Sequence, residues 1–249
     1  MELRGKAALI TGGGTGLGRA IALQFAREGV NVAINYPLCI KEAEWTAEEA
    51  RKFGVKAITI RADVSIPEAA ENMVNEAAKT FGRLDVLVNN AGTTKFVAFK
   101  DLDDLNEDDF LRIFKTNSLA IFFAARAAAK IMKKQGRGHI INTTSTAGLM
   151  RPSGSSIAYA VSKAAGVHFT KALAIALAPE ICVNSVAPGL LLTRWAAGFS
   201  EESIADAKKK ALLNKATDIE ECAAMFIDLA KNDSITGQII AVDAGLTLS

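Results

Sequence analysis

Seven short apolar runs punctuate this chain: Ala7–Thr11, Asn31–Asn35, Ala57–Ile60, Val86–Asn89, His139–Thr143, Cys182–Ala187 and Ile239–Val242. Amphipathic stretches of helical period separate them: Leu17–Glu28, Lys41–Phe53, Pro67–Phe81, a long one ending near Lys134, Ile157–Leu177 and Ile219–Leu229. A short run that is apolar throughout suits a strand covered on both faces, and parallel strands need a crossover between them. The alternation predicts an α/β fold, doubly wound, with a seven-stranded parallel sheet and helices on both faces. No linker, repeat or low-complexity segment interrupts it, so residues 1–249 read as a single domain.

Two segments are longer than a tight connection requires. Residues 93–108 follow the fourth strand and residues 190–217 follow the sixth. Ligands of such sheets bind outside the carboxyl ends of the strands, so both are pocket candidates, the second as a substrate lid. Within it Ser200 can cap a short helix, with Glu201 and Glu202 at its start and Lys208–Lys210 at its end.

The first strand runs into "TGGGTGLGRA", with glycines at 12, 16 and 18 between strand and helix. There the chain must turn tightly, and the free N–H groups of the following helix favour an anion such as a pyrophosphate. No Gly-Lys-Ser/Thr follows, which excludes a P-loop. "ADVS" (Ala62–Ser65) and "NNAG" (Asn89–Gly92) end the third and fourth strands on the same edge of the sheet. "YAVSK" (Tyr159–Lys163) places a tyrosine and a lysine one turn apart on one helix face.

The net charge is +2, from 29 basic and 27 acidic residues, with no basic footprint for nucleic acid. Cys39, Cys182 and Cys222 are an odd, scattered set that forms neither a disulfide framework nor a zinc site, and no metal cluster is expected. No signal core and no membrane-length apolar stretch is evident, so the chain reads as a reduced, cytoplasmic protein. His168 lies half a turn off the Tyr159 face and His139 begins a strand at the opposite end from the site, so both read as surface or structural residues.

The ordered series "TGGGTGLG", Asp63-Val64, "NNAG", Asn117, "INTTS" ending at Ser145, "YAVSK", "VNSVAPG" and "GQIIAVDAG" spans the chain. In that series the chain resembles the short-chain dehydrogenase/reductase family in its compact form. The resemblance implies a Rossmann-type fold and a nicotinamide dinucleotide. It implies that Gly12, Thr15, Gly16 and Leu17 hold the pyrophosphate, Asp63 and Val64 meet the adenine, and Asn90, Ala91 and Gly92 flank the ribose. Pro188, Gly189, Leu191 and Thr193 would position the nicotinamide. Asn117, Ser145, Tyr159 and Lys163 match the catalytic set, Lys163 also binding ribose. Thr146 carries a hydroxyl at the 13-residue spacing before Tyr159 that many relatives use, whereas Ser145 fits the strand motif.

On that basis the expected reaction interconverts a secondary alcohol and a ketone on a small-molecule substrate. Tyr159 is the general acid/base, its pKa drawn toward neutrality by the Lys163 ammonium and an oxidised nicotinamide. Ser145 stabilises the substrate oxygen, and Asn117 holds a relay water. The resemblance favours a 3-oxoacyl-(acyl carrier protein) reductase over a sugar or polyol dehydrogenase such as a glucose 1-dehydrogenase. A non-catalytic dinucleotide-binding regulator is the remote alternative, because Tyr159 and Lys163 are both kept. Ile175 stands where carrier-protein reductases often carry arginine, with Arg137 and Arg151 as possible substitutes. The second strand ends in Asn35 and Tyr36, cofactor-binding candidates that stand where a carboxylate would reject a 2′-phosphate. A modest preference for NADP(H) with NAD(H) usable follows. The alanine-rich helices ending near Lys134 and around Tyr159 imply, by resemblance, a homotetramer.

Overall fold

The computed structural model describes residues 1–149 and 153–249; Arg151, considered above, lies outside the described residues. All seven strands are present and parallel: β1 (Ala7–Ile10), β2 (Asn31–Tyr36), β3 (Ala57–Arg61), β4 (Val86–Asn89), β5 (Gly138–Thr143), β6 (Ile181–Pro188) and β7 (Ile239–Val242), in the order β3-β2-β1-β4-β5-β6-β7. β1 is central, with Leu9 opposite Ala33 of β2 on one side and Leu87 of β4 on the other. The winding reverses between β1 and β4, where a crevice opens at the carboxyl ends.

The helices divide between the faces. On one lie α1 (Gly16–Arg27), α2 (Ile40–Arg51) and α8 (Ile219–Lys231), around Phe25, Ile21, Ile34 and Phe226. On the other lie α3 (Pro67–Phe81), α5 (Ala120–Gln135) and α6 (Ile157–Leu177), around Leu9, Met73, Leu87 and Met132. β1, β2 and β4 are buried along nearly their whole length because both faces are covered.

The expected long helix ending near Lys134 is divided. α4 (Glu107–Phe114), started by an Asn106–Asp109 capping box, gives way to a π-helical turn at Lys115–Leu119 before α5. Nothing in the hydrophobic period marks that turn, since the flanking helices keep their apolar faces. In the lid, α7 (Glu201–Lys210) forms where its charges place it, and the Ser200 hydroxyl accepts from the Ser203 N–H at 3.1 Å.

The opposite end of the sheet is tied by polar contacts. Burial pushes the His139 imidazole down, and its Nε2 lies 3.1 Å from Asp233 Oδ1. Burial would raise the Asp233 carboxyl, but hydrogen bonds from Arg137 and His139 bring it to about 2. Arg137 therefore stands at the amino end of β5 and not at the pocket mouth, where a carrier protein would dock.

Candidate active site

The glycine turn is built by side chains from three strands. The Thr11 hydroxyl accepts from the Asn90 and Ala91 N–H groups at 2.8 and 3.0 Å, joining β1 to the loop after β4. Asn90 Nδ2 donates back to the Thr11 and Gly12 carbonyls at 3.0 and 3.3 Å. A β-carbon on Gly18 would collide with the Gly12 carbonyl and with Asn90 Nδ2, so α1 docks on the turn only because that position is glycine. Gly12 and Gly16 have φ of 62° and 53°, the left-handed region. Thr15 is the N-cap of α1 but its side chain makes no capping bond, and no acid stands in the first helical turn. The N–H groups of Gly16 and Leu17 start a helix without a side-chain acceptor, which fits the phosphates of a dinucleotide.

Asn35, a cofactor-binding candidate, turns its side chain into the fold. It is buried, accepts from the Gly12 N–H at 3.2 Å, and donates to the Ile60 and Ala62 carbonyls at 3.2 and 3.0 Å. Its amide hydrogens are spent on β3, so it shapes the turn from beneath. Tyr36 is likewise buried, at the end of β2. Asp63 is exposed and accepts from the Ser65 N–H and hydroxyl at 2.9 and 2.7 Å, while Val64 packs inward.

The catalytic candidates meet beside this turn. Ser156 caps α6 by accepting from the Tyr159 N–H at 3.3 Å, fixing where the tyrosine leaves the helix. Lys163 Nζ lies 5.7 Å from the Tyr159 ring centroid and donates to the Thr143 carbonyl at 2.8 Å. After β5 the chain makes a short 3₁₀ turn at Thr146–Gly148. A β-carbon on Gly148 would strike the main chain of Lys163 and Ala164, so the turn sits directly on α6. That contact brings the Ser145 hydroxyl to the Tyr159 phenol, whereas Thr146 is buried in the turn.

In the protein chain alone, burial governs both ionisable groups. Burial pushes the Tyr159 phenol up to about 12, with the Ser145 hydrogen bond pulling weakly the other way. Burial also brings the Lys163 ammonium down to about 8. Tyr159 as a residue is half-buried, and desolvation is the largest cause of its shift.

Asn117 sits in the π-helical turn and is buried. Its Oδ1 accepts from the Thr93 N–H at 2.8 Å, and Nδ2 donates to the Thr93 carbonyl and the Ser162 hydroxyl, both at 2.9 Å. Both amide hydrogens are taken, so the side chain clamps the loop after β4 onto α6.

The segment after β6 meets both the glycine turn and Tyr159. Pro188 ends β6, and a β-carbon on Gly189 would lie 2.8 Å from the Asp243 α-carbon. Leu191 bridges to Thr217, and the Thr193 methyl lies 3.4 Å from where a Gly16 β-carbon would be. Trp195 lies over Tyr159 with ring centroids 5.6 Å apart, while Phe96 and Phe199 meet edge to face at 5.0 Å. Sequence reasoning missed Thr11, whose strand-end position looks like any other, and Arg194, which pairs with Glu42 across the turn. Among the described residues no His/Cys/Asp/Glu cluster fit for a metal occurs, and no helix is long and apolar enough to cross a membrane.

The profile of the family described as enoyl-(acyl carrier protein) reductase matches residues 12–247. A 3-oxoacyl-[acyl-carrier-protein] reductase of Staphylococcus aureus is 36% identical over 245 residues, covering 97% of this chain and 98% of that protein. An L-rhamnose 1-dehydrogenase (NAD(P)(+)) of a Sphingomonas strain is 35% identical over 254 residues, covering 98% and 97%. A solved short-chain dehydrogenase of Burkholderia cenocepacia, in complex with NADP, superposes with a TM-score of 0.91 at 34% identity, covering 99% of both chains. The motif series, the sheet order and these matches agree: the chain belongs to the short-chain dehydrogenase/reductase family, as an NAD(P)-dependent oxidoreductase acting on alcohol and keto groups.

Proposed function

We propose that this protein reduces the ketone of a 3-oxoacyl thioester-like substrate, with NADP(H) modestly preferred and NAD(H) usable. The observation that carries the reading is the convergence of Ser145, Tyr159 and Lys163 at the carboxyl end of β5, beside a glycine turn suited to phosphates. Gly12, Thr15, Gly16 and Leu17 would hold the cofactor diphosphate, Asp63 and Val64 the adenine, Asn90–Gly92 and Lys163 a ribose, and Pro188–Thr193 the nicotinamide. The bound cofactor supplies or accepts the hydride. Tyr159 donates the proton to the forming alkoxide, or removes it in the reverse direction. Ser145 donates a hydrogen bond to the same oxygen as its charge develops. Lys163 keeps its ammonium below pH 8 and offers positive charge to the tyrosinate that proton donation leaves. Asn117 fixes the loop that carries Gly92.

An apolar wall of Leu192, Trp195, Phe96 and Phe199 favours an acyl chain over a fully hydroxylated sugar. The 35% identity to a rhamnose dehydrogenase supports a sugar as the second reading. Residues 190–217 would act as the substrate lid of a single domain, and a cytoplasmic homotetramer built on α5 and α6 fits the family. Turnover of short 3-oxoacyl thioesters, cyclic ketones and sugars with each cofactor, followed by nicotinamide absorbance, tests this reading. Thioester reduction lost in Tyr159→Phe is expected; sugar oxidation alone would select the second reading.

A further inference from the structure

The second strand ends without either the carboxylate that selects NAD(H) or a base that would attract a 2′-phosphate. The lid brings a base to that place. Arg194, 152 residues along the chain from Glu42, pairs with it through Nη1–Oε1 and through Nη2–Oε2 at 3.2 Å. The same Nη2 donates to the Thr15 hydroxyl at 3.1 Å, at the start of α1. Glu42 lies in the first turn of α2, whose backbone packs on the glycine turn: a β-carbon on Gly14 would lie 3.2 Å from the Ala43 nitrogen. The charged pair thus sits on the β2 side of the turn, the side on which dinucleotide folds hold the adenosine ribose.

We propose that Arg194 is a cofactor-selecting residue that exchanges Glu42 for the 2′-phosphate of NADP(H). The inference rests on the dinucleotide reading above and adds the residue that discriminates. The Arg194 side chain is 72% exposed and that of Glu42 is 35% exposed, so the pair contributes little to stability and is cheaply broken. A phosphate monoester near neutral pH carries more negative charge than one carboxylate and takes the two-pronged guanidinium fork as well. Glu42 acts in the opposite sense: its carboxylate holds Arg194 and repels a phosphate brought near it. Arg194 is flanked by Thr193, packed toward Gly16, and Trp195, packed on Tyr159. A phosphate that holds Arg194 therefore also holds the lid segment in place over the catalytic tyrosine.

Dissociation constants of NADPH, NADH, 2′,5′-ADP and 5′-ADP, measured by calorimetric titration of the full chain, test this. Arg194→Gln is expected to weaken NADPH and 2′,5′-ADP by about tenfold or more, the loss of a charged hydrogen-bond partner, while NADH and 5′-ADP change by less than about twofold. Glu42→Gln is expected to tighten NADPH by about threefold or more without helping NADH. Arg194→Lys should recover part of the NADPH affinity, since charge remains and the fork is lost. Neither position is buried, and equal melting temperatures of the variants confirm that they fold. Equal weakening of all four ligands by Arg194→Gln would put Arg194 on the shared diphosphate and overturn the assignment. NADPH affinity unchanged in Arg194→Gln would overturn it as well. If the parent protein binds none of the four, the dinucleotide reading itself fails.

Discussion

A single hydroxyl separates two alternatives at the catalytic serine. Ser145 reaches the Tyr159 phenol, while Thr146, one residue on, is buried in the 3₁₀ turn. Ser145→Ala is therefore expected to cut turnover by about 10²–10³, as loss of one oxyanion-type donor does, with Thr146→Ala much milder. Steady-state kcat for the two variants checks it, and the reverse ranking would move the role to Thr146. Lys163 gives a second residue-scale expectation. Its ammonium is brought down to about 8 by burial, against about 10.4 in an unfolded chain. Between those values the unfolded chain binds the additional proton, so this group makes stability rise with pH across that window. Below pH 8 both states are charged and the buried ammonium only costs stability. Denaturant unfolding between about pH 7 and pH 10 should show the parent gaining on Lys163→Met as pH rises. Tyr159, raised to about 12, acts in the opposite sense only above about pH 10. A flat difference across the window would show that the ammonium is better solvated than its burial implies.

Among the elements, α1 depends on one absent side chain. A β-carbon on Gly18 meets backbone, the Gly12 carbonyl, which cannot swing aside as a side-chain end does. Gly18→Ala is expected to push α1 off the turn, destabilise the fold by about 1–3 kcal/mol, and weaken both dinucleotides alike. Thermal unfolding and NADH titration together check it; unchanged binding would mean that the helix tolerates the shift. The same element shows what the sequence made legible. Strands and helices were readable because burial on two faces imposes an unbroken apolar run and helices impose a 3.6-residue period. The glycine turn was readable because only glycine allows the close approach. The division of the long helix was not, since a π-helical turn leaves the apolar faces of α4 and α5 in place. The bonds of Asn35 were not legible for a related reason: composition shows an amide at the strand end, but not that the carbonyls of β3 and Ala62 take its hydrogens. How strongly burial acts on the Tyr159 phenol was not legible, because spacing reports the neighbouring charge and says nothing of desolvation.

Across the whole molecule, the glycine turn, the clamp at Asn117 and the lid meet at one crevice, while the other end of the sheet is held by Asp233. A ligand in that crevice touches α1, α6 and the lid together, so its binding energy adds to the stability of the fold as a unit. At 100 times its dissociation constant a ligand adds about 2.7 kcal/mol. For a chain of 249 residues that amounts to a rise in Tm of about 5–11 °C. NADPH is expected to give this shift, checked by thermal unfolding with and without it; no shift at saturating NADPH would count against coupling between site and fold. Arg194 belongs to this scale too. Nothing near the second strand in the sequence announces it, because the contact is created by the lid folding back on the first half of the chain.

The π-helical turn at Lys115–Leu119 has a consequence for inheritance. A wide turn of this kind accommodates one more residue than an α-helix would, without rotating the helices on either side. Deleting a single codon there would let α4 and α5 join as one regular helix, with every core-facing residue of both still facing the core. Asn117, which reaches Thr93 and Ser162 from within that turn, would be drawn away from them. Here a one-residue deletion would spare the fold and strike the chemistry, so folding and catalysis would be separately mutable at one point in the reading frame.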